Sequence, residues 1–160
     1  MEAVSEELYS LLVPLHKGRL IVPRSCISEV VRFVPPERPD PTAPEWFRGF
    51  VSWGGRRVPV ARVEGLCGLT GTEPGGRTRL AIFNSLSSSL GSGVFGILTE
   101  GFPQLVRVNR DVMELHDEQN WSDDSPVICQ IRMINEYPLI LDLEKLESML
   151  QEQIAATLTG

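Results

Sequence analysis

The 160-residue chain has few of the residues that build metal centres and disulfide frameworks. It contains three widely spaced cysteines, Cys26, Cys67 and Cys129, and two histidines, His16 and His116. Neither a CxxC nor an HxxxH pair occurs, so the sequence predicts no structural zinc site and no disulfide scaffold. We expect three ordinary core or near-surface thiols, because free cysteine behaves as a small apolar residue.

Long apolar runs and a basic leader segment are also lacking. The longest stretch without charge, residues 80–99, is interrupted by an asparagine, several serines and several glycines. A membrane helix needs about 20 predominantly apolar residues, which this stretch does not supply. Acidic side chains stand near the start of the chain, where a signal peptide would be basic. We therefore expect a soluble, cytoplasmic protein with no direct membrane insertion.

Basic charge is scarce in the last third of the chain. Residues 111–160 carry two basic and eleven acidic side chains, whereas residues 17–62 carry nine basic and four acidic ones. The net charge of −6 and the isoelectric point near 5.0 disfavour a nucleic-acid partner. The uneven distribution favours protein partners, because complementary charge guides the orientation of two proteins.

Catalytic and cofactor-binding motifs are absent or misplaced. Residues 91–96 spell GxGxxG, but no strand ends directly before them and Gly101 and Pro103 leave no room for a helix behind them. A dinucleotide-binding turn requires both elements. The chain also lacks a phosphate-binding lysine after residues 75–76 and a GxSxG nucleophile turn. We predict no catalytic residues, no cofactor and no metal.

What the sequence does contain is a succession of nine or ten short β-type runs, which favour barrels or a sandwich. A proline-rich segment is expected to be an extended loop, since proline removes backbone donors. Apolar spacing near 3.6 residues predicts a C-terminal helix capped by Asp142. The predicted strands are 8–15, 19–22, 30–34, 50–53, 56–60, 79–83, 94–99, 105–108, 127–134 and 139–143. The other predicted elements are the loop 35–44, a short helix over 63–69, an irregular acidic segment over 114–126 and the final helix over 143–158.

The densest motif lies within residues 44–63. An aromatic turn, Arg48-Gly49, the turn Gly54-Gly55 and Val58-Pro59-Val60 follow one another there. This order resembles the CheW-like adaptor family. Weaker matches in the same order, at residues 20–31, 94–98 and 139–146, extend the resemblance over about residues 9–150.

The resemblance implies a mainly β fold of two five-stranded Src-homology-3-like barrel subdomains around a shared core, with a C-terminal helix. It implies a single CheW-like domain over residues 1–160, with a core over 8–150 and a helix tail over 151–160. It also implies a non-catalytic adaptor that couples chemoreceptors to a CheA-type histidine kinase in chemotaxis or twitching motility. The residues alone leave open an unrelated β-barrel that binds a small molecule or catalyses a reaction.

The resemblance also assigns candidate binding residues. The kinase's regulatory domain is expected to contact Ile27, Glu29 and Gly49. The tip of a methyl-accepting chemoreceptor is expected to contact the residues near a groove, Arg79, Phe102 and Leu105. Apolar residues in strands are often plain core, so each apolar assignment competes with that interpretation. Gly49→Asp is expected to abolish kinase binding while the fold is retained.

The chain departs from the family's pattern at three places. Gly54-Gly55 replaces the family's second Arg-Gly, Ala61-Arg62-Val63 replaces a Val-Asp-Leu step, and an acid appears in Thr99-Glu100-Gly101 in a shifted context. The missing arginine is associated in the family with receptor contact. We therefore expect a divergent member, of the kind found in type IV pilus signalling clusters.

Overall fold

The computed structural model describes residues 8–71, 73–109, 113–116, 120–133 and 135–159. Eleven strands in these residues form two sheets, and one α-helix, α1 (Leu143–Thr159), follows them. The strands are β1 Leu8–Pro14, β2 Arg19–Pro23, β3 Ile27–Arg32, β4 Phe47–Trp53, β5 Arg56–Ala61, β6 Arg79–Asn84, β7 Val94–Thr99, β8 Gln104–Val108, β9 Glu114–His116, β10 Val127–Arg132 and β11 Leu139–Leu141.

The first sheet combines the two ends of the chain. Its strand order is β8-β1-β2-β11-β10-β9, and only the β11–β2 pair is parallel among its described pairs. Side chains alternate along a strand, so one face packs around its own small core of Leu12, Ile21, Val108 and Ile131. The other face turns toward the rest of the molecule.

The second sheet has the order β3-β6-β7-β5-β4 and closes on itself. Beyond the end of β3, Glu37 pairs with Phe50 of β4 through two backbone hydrogen bonds, with N···O distances of 2.7 and 2.8 Å. The proline-rich loop therefore supplies the contact that joins the first and last strands. Closure protects the backbone groups of an edge strand that would otherwise remain unpaired.

The central strands of the second sheet bury both of their faces. Leu80, Ile82 and Leu98 point into the barrel, whereas Phe83 and Phe95 point outward and stack with their ring centroids 5.3 Å apart. Every residue of β7 is buried, which explains why this stretch is continuously apolar.

A third core joins the two sheets and α1. It combines side chains of the first sheet, of the second sheet and of the helix. The helix contributes Leu143, Leu146 and Leu150, which lie on one face at the predicted spacing. Lys145 donates its backbone N–H to the Asp142 carboxylate at 3.0 Å, so the predicted N-cap is confirmed.

The structure confirms the predicted β architecture of two subdomains and a terminal helix, with differences in detail. The first sheet has six strands instead of five. Strand β9 lies inside the segment 114–126 that was expected to be irregular, and it forms because it pairs with β10. The helix expected over 63–69 is only a 3-10 turn, Gly65–Cys67, since Gly68 with a φ of 73° ends it at once.

Candidate protein-binding surfaces

Of the three residues assigned to receptor contact, Arg79 and Phe102 are in contact, and Leu105 lies shortly after Phe102 in the chain. Arg79 begins β6, Phe102 lies in the turn between β7 and β8, and Leu105 lies on β8. The Arg79 guanidinium carbon is 5.1 Å from the centre of the Phe102 ring. Phe102 is 64% exposed and Leu105 is 50% exposed. We call these residues the receptor patch; exposed apolar groups beside a cation are typical of a protein-binding surface.

Two further residues extend the receptor patch along β8. Arg107 shares a face with Leu105, because both lie two residues apart on one strand. Its guanidinium donates to the Tyr9 hydroxyl at 3.0 Å and lies 5.5 Å from the centre of that ring. Sequence reasoning missed Tyr9 and Arg107, because only the β1–β8 register brings them together.

Two of the residues assigned to kinase contact lie on β3, an outer strand of the second sheet. Ile27 is half-buried against the shared core, whereas Glu29 is exposed. The Glu29 carboxylate accepts a hydrogen bond from the indole N–H of Trp53 at 3.1 Å. We call Ile27, Glu29 and Trp53 the kinase surface; Trp53 was not assigned from the sequence.

Gly49 does not lie on an exposed surface. It is buried in β4 and has a φ of 109°, which residues with a side chain rarely adopt. An added Cβ would overlap the carbonyl oxygen of Glu37 and lie 2.9 Å from the Cα of Arg38. The expectation that Gly49→Asp retains the fold is therefore wrong, because Gly49 permits the close approach that closes the barrel.

A buried polar network lies beside the receptor patch, at the junction of the two sheets. Arg62 Nη2 is 3.4 Å from Glu64 Oε2 and 3.0 Å from Glu100 Oε1. The hydroxyl of Thr78 lies 3.4 Å from the same Glu100 oxygen. The backbone N–H of His16, in the β1–β2 turn, donates to Glu64 at 3.2 Å. We call Arg62, Glu64 and Glu100 the junction network.

Among the residues that the structure describes, no cluster of histidine, cysteine, aspartate and glutamate side chains could hold a metal ion. Burial, and secondarily the charge of Glu64, raises the pKa of the Cys67 thiol to about 12. Burial also raises the pKa of Cys26 and of Cys129. A thiol must ionise to act as a nucleophile, so these cysteines are poorly reactive.

A family model described as a CheW-like domain matches residues 10–150. The chain belongs to the CheW-like family. This is a family of non-catalytic chemotaxis scaffolds. The CheW-like fold is also that of the scaffolding protein TtCheW from Thermoanaerobacter tengcongensis, which matches with a TM-score of 0.71 and 16% identity over 88% of this chain and 92% of that one.

A search of curated proteins found no match to the chain. Within the described residues, no helix of this CheW-like protein is long and apolar enough to cross a membrane.

Proposed function

We propose that the protein couples a chemoreceptor to a CheA-type histidine kinase in the cytoplasm. The observation that carries the proposal is the match to the CheW-like family over residues 10–150. An adaptor of this kind needs two surfaces that two partners can occupy together. The receptor patch and the kinase surface share no residue, which supports the proposal.

The receptor patch is suited to a partner that presents apolar and acidic side chains. Phe102 and Leu105 offer apolar area, and each of two arginines is held over an aromatic ring, Arg79 on Phe102 and Arg107 on Tyr9. Arg79 also donates to the carbonyl oxygens of Gly76 and Thr78 at 3.0 and 2.9 Å. Cations that are held in place lose little side-chain entropy when a partner binds.

The kinase surface offers a different chemistry. Glu29 presents a carboxylate whose position is fixed by Trp53. Ile27 lies on the same strand, but a bulge between the two residues turns its half-buried side chain to the other face, against the shared core. A few such anchors carry most of the binding energy of an ordinary interface. The regulatory domain of the kinase is the proposed partner.

Calorimetry with the isolated kinase regulatory domain and with the receptor tip from the same organism tests both surfaces. We expect Phe102→Ala and Leu105→Ala to weaken receptor binding about 30-fold each, as loss of a 2 kcal/mol anchor does. Kinase affinity should stay unchanged. Glu29→Lys should do the reverse, because it alters only the kinase surface.

Val34→Ala is the matched control for these variants. Val34 is 56% exposed but belongs to neither surface, so both affinities should match those of the original protein. An unaltered protein that binds neither partner would overturn the adaptor function. Phe102→Ala that weakens both partners equally would overturn the assignment of separate surfaces.

We also propose that the protein serves a divergent chemosensory pathway, of the type IV pilus kind, instead of the flagellar one. The support is the turn at Gly54-Gly55, where the family carries Arg-Gly. The nearest cations are Arg56 and Arg57, and each already makes a contact within the protein. Arg56 Nη1 donates to the carbonyl oxygen of Ser92 at 3.3 Å, and the Arg57 guanidinium lies 3.8 Å from the centre of the Phe50 ring.

A further inference from the structure

A groove of about 540 Å³ runs along β4, next to the β4–β5 turn. One wall is the start of β5. The other is the proline-rich loop, which runs back beside β4 because Glu37 pairs with Phe50. We call it the hairpin groove, and it contains no residue of the receptor patch or of the kinase surface. Its lining residues are Val34, Pro35, Glu37, Phe50, Val51, Ser52, Gly55, Arg56 and Arg57.

Arg57 is an exposed cation that is held in place in this groove. Its side chain is accessible to solvent, and its guanidinium carbon lies 3.8 Å from the centre of the Phe50 ring. So close a contact requires the planar guanidinium to lie nearly flat on the ring, which leaves its N–H groups at the edge of the stack. No described residue accepts a hydrogen bond from Arg57 or forms an ion pair with it. A cation fixed in this way loses little side-chain entropy when an anion binds.

Ser52 adds a second donor beside Arg57. The two residues are directly opposite each other in the β4–β5 pair, so their side chains share a face and their Cβ atoms lie about 5 Å apart. Ser52 is exposed, and its hydroxyl bonds to no other described residue. A hydroxyl and the N–H groups of a guanidinium can donate to the same carboxylate, which accepts at both of its oxygens.

The rest of the hairpin groove offers apolar area and an excess of positive charge. Val34 is 56% exposed, and Pro35 beside it is also exposed. Arg56 adds a second positive charge, whereas Glu37 supplies one negative charge and forms no ion pair with either arginine among the described residues. The groove therefore complements a carboxylate that stands next to an apolar side chain. A phosphate dianion carries more negative charge and is repelled more strongly by Glu37.

We propose that the hairpin groove binds an acidic segment of a third protein, distinct from the kinase and the receptor. In this segment an aspartate or glutamate stands next to an apolar residue. Its carboxylate accepts hydrogen bonds from Arg57 and Ser52, and the apolar side chain packs on Val34. A protein segment fits better than a small molecule, because small-molecule sites bury most of the ligand, whereas these three residues are exposed.

The test follows the backbone N–H signal of Ser52 and the Nε–H signal of Arg57 by NMR in the unaltered protein. The probes are the blocked tetrapeptides Gly-Glu-Val-Gly, Gly-Gln-Val-Gly and Gly-Glu-Gly-Gly. We expect the first to bind at least about tenfold more tightly than the second, which lacks the charge, and about threefold more tightly than the third, which lacks the apolar side chain. Equal binding of the first two peptides, or no binding, overturns the proposal.

Two controls show whether the binding is specific. The backbone N–H signal of Phe102 should not move, although Phe102 also carries an arginine on its ring; an equal shift there would mean that any such arginine attracts the peptide. A fourth peptide, with phosphoserine in place of glutamate, tests the other anion that arginine binds. Tighter binding of the phosphoserine peptide would overturn the assignment to a carboxylate.

A charge-conserving variant gives a sharper result. Arg57→Lys keeps the positive charge but loses the planar fork of donors and its stacking on Phe50, so we expect it to bind Gly-Glu-Val-Gly at least about tenfold more weakly. Arg77→Gln, which removes a whole charge, should bind within about twofold of the unaltered protein. Arg77 is exposed and lies toward the end of β7, whereas Arg57 lies toward its start. Unchanged binding by Arg57→Lys contradicts the proposed contact.

Calorimetry decides whether the partner is a third protein. Arg57→Gln should keep the affinities for the kinase regulatory domain and for the receptor tip within about twofold, because the hairpin groove shares no residue with either surface. Loss of one of these affinities would assign the groove to that partner and overturn the third protein. The peptide titrations use neither kinase nor receptor, so their failure is distinguishable from failure of the adaptor function.

Discussion

Gly49 lies where two backbone segments of the second sheet come closest. We expect Gly49→Ala to lower the free energy of unfolding by at least about 3 kcal/mol, because the new Cβ meets backbone atoms at a strained φ. Urea unfolding followed by circular dichroism measures this loss. Gly54→Ala is the control: its φ is also positive, but no atom lies within 4 Å of the added Cβ, so it should cost only about 1 kcal/mol. Equal losses would contradict the close-approach argument.

Cys67 should make the protein sensitive to alkali. Its pKa rises from 9.0 to about 12 on folding, so above pH 9 the unfolded chain loses a proton that the folded chain keeps. Stability is therefore full below pH 9 and falls as the pH rises toward 12, by about 1.4 kcal/mol per unit. Thermal melts at pH 8 and pH 10.5 should show a larger decrease for the unaltered protein than for Cys67→Ala. A decrease of the same size in both proteins would rule out this source.

Contacts between residues that are far apart in the chain could not be predicted from the sequence. The departures at residues 61–63 and 99–101 are two halves of one contact, since Arg62 pairs with Glu100. They lie 38 positions apart, and no local pattern connects them. Gly49 was predicted as a functional residue because its motif was identifiable, whereas its burial depends on how the loop before β4 folds back over it at Glu37 and Arg38.

Among the elements, α1 was the easiest to predict, because its apolar spacing and its Asp142 cap are local signals. What fixes it to the second sheet is not local. Glu147 is fully buried, and its carboxylate accepts from the backbone N–H groups of Leu86 and Ser87 and from the hydroxyls of Ser85 and Ser87. These donors lie about 60 residues earlier, in a loop that carried little sequence signal. Strand β9 was not predicted for a similar reason, since its three residues form a strand only by pairing with β10.

Glu147→Ala should therefore detach α1 from the β6–β7 loop. It leaves the backbone N–H groups of Leu86 and Ser87 without their acceptor, whereas the Ser85 hydroxyl can still donate to the carbonyl of Ser87. We expect a loss of about 3 kcal/mol in the free energy of unfolding. Hydrogen exchange should accelerate at Leu86 and Ser87. Glu144→Ala, on the exposed side of the same helix, should change stability by less than about 0.5 kcal/mol. Unchanged exchange at Leu86 in Glu147→Ala would show that the carboxylate does not hold the loop.

At the scale of the whole molecule, the junction network ties the first sheet to the second. Arg62 and Glu100 follow strands of the second sheet, whereas the N–H of His16 belongs to a turn of the first. The backbone N–H of Glu100 also donates to the carbonyl of Pro14, on β1, at 2.9 Å. The network therefore helps to position Arg79, on the second sheet, relative to Leu105, on the first sheet.

Arg62→Met should destabilise the protein by about 3–5 kcal/mol, because it leaves the Glu64 carboxylate buried without its partner. The double variant Arg62→Met/Glu64→Met should lose less than the single one, since the fully buried carboxylate is then gone and only Glu100, which is partly exposed, remains without its cation. Urea midpoints measure both. Arg19→Met breaks an exposed pair with Glu136 and should cost less than about 1 kcal/mol. A double variant less stable than Arg62→Met would contradict this account.

The proposal of a divergent pathway rests on the β4–β5 turn. Gly54 and Gly55 have φ values of 56° and 74°, which suit a two-residue hairpin turn. A side chain at Gly54 meets open space, so Gly54→Arg should fold at a cost of about 1 kcal/mol.

Because a cation at the rim of an interface mainly speeds association, we expect Gly54→Arg to raise the association rate with a flagellar receptor tip about tenfold. The gain should shrink as salt is raised, and kinase affinity should not change. Surface plasmon resonance measures these rates, with Gly54→Ala as the control for the backbone. If the unaltered protein already binds a flagellar tip as tightly as a family member that carries the arginine, and Gly54→Arg changes nothing, the protein does not belong to a divergent pathway.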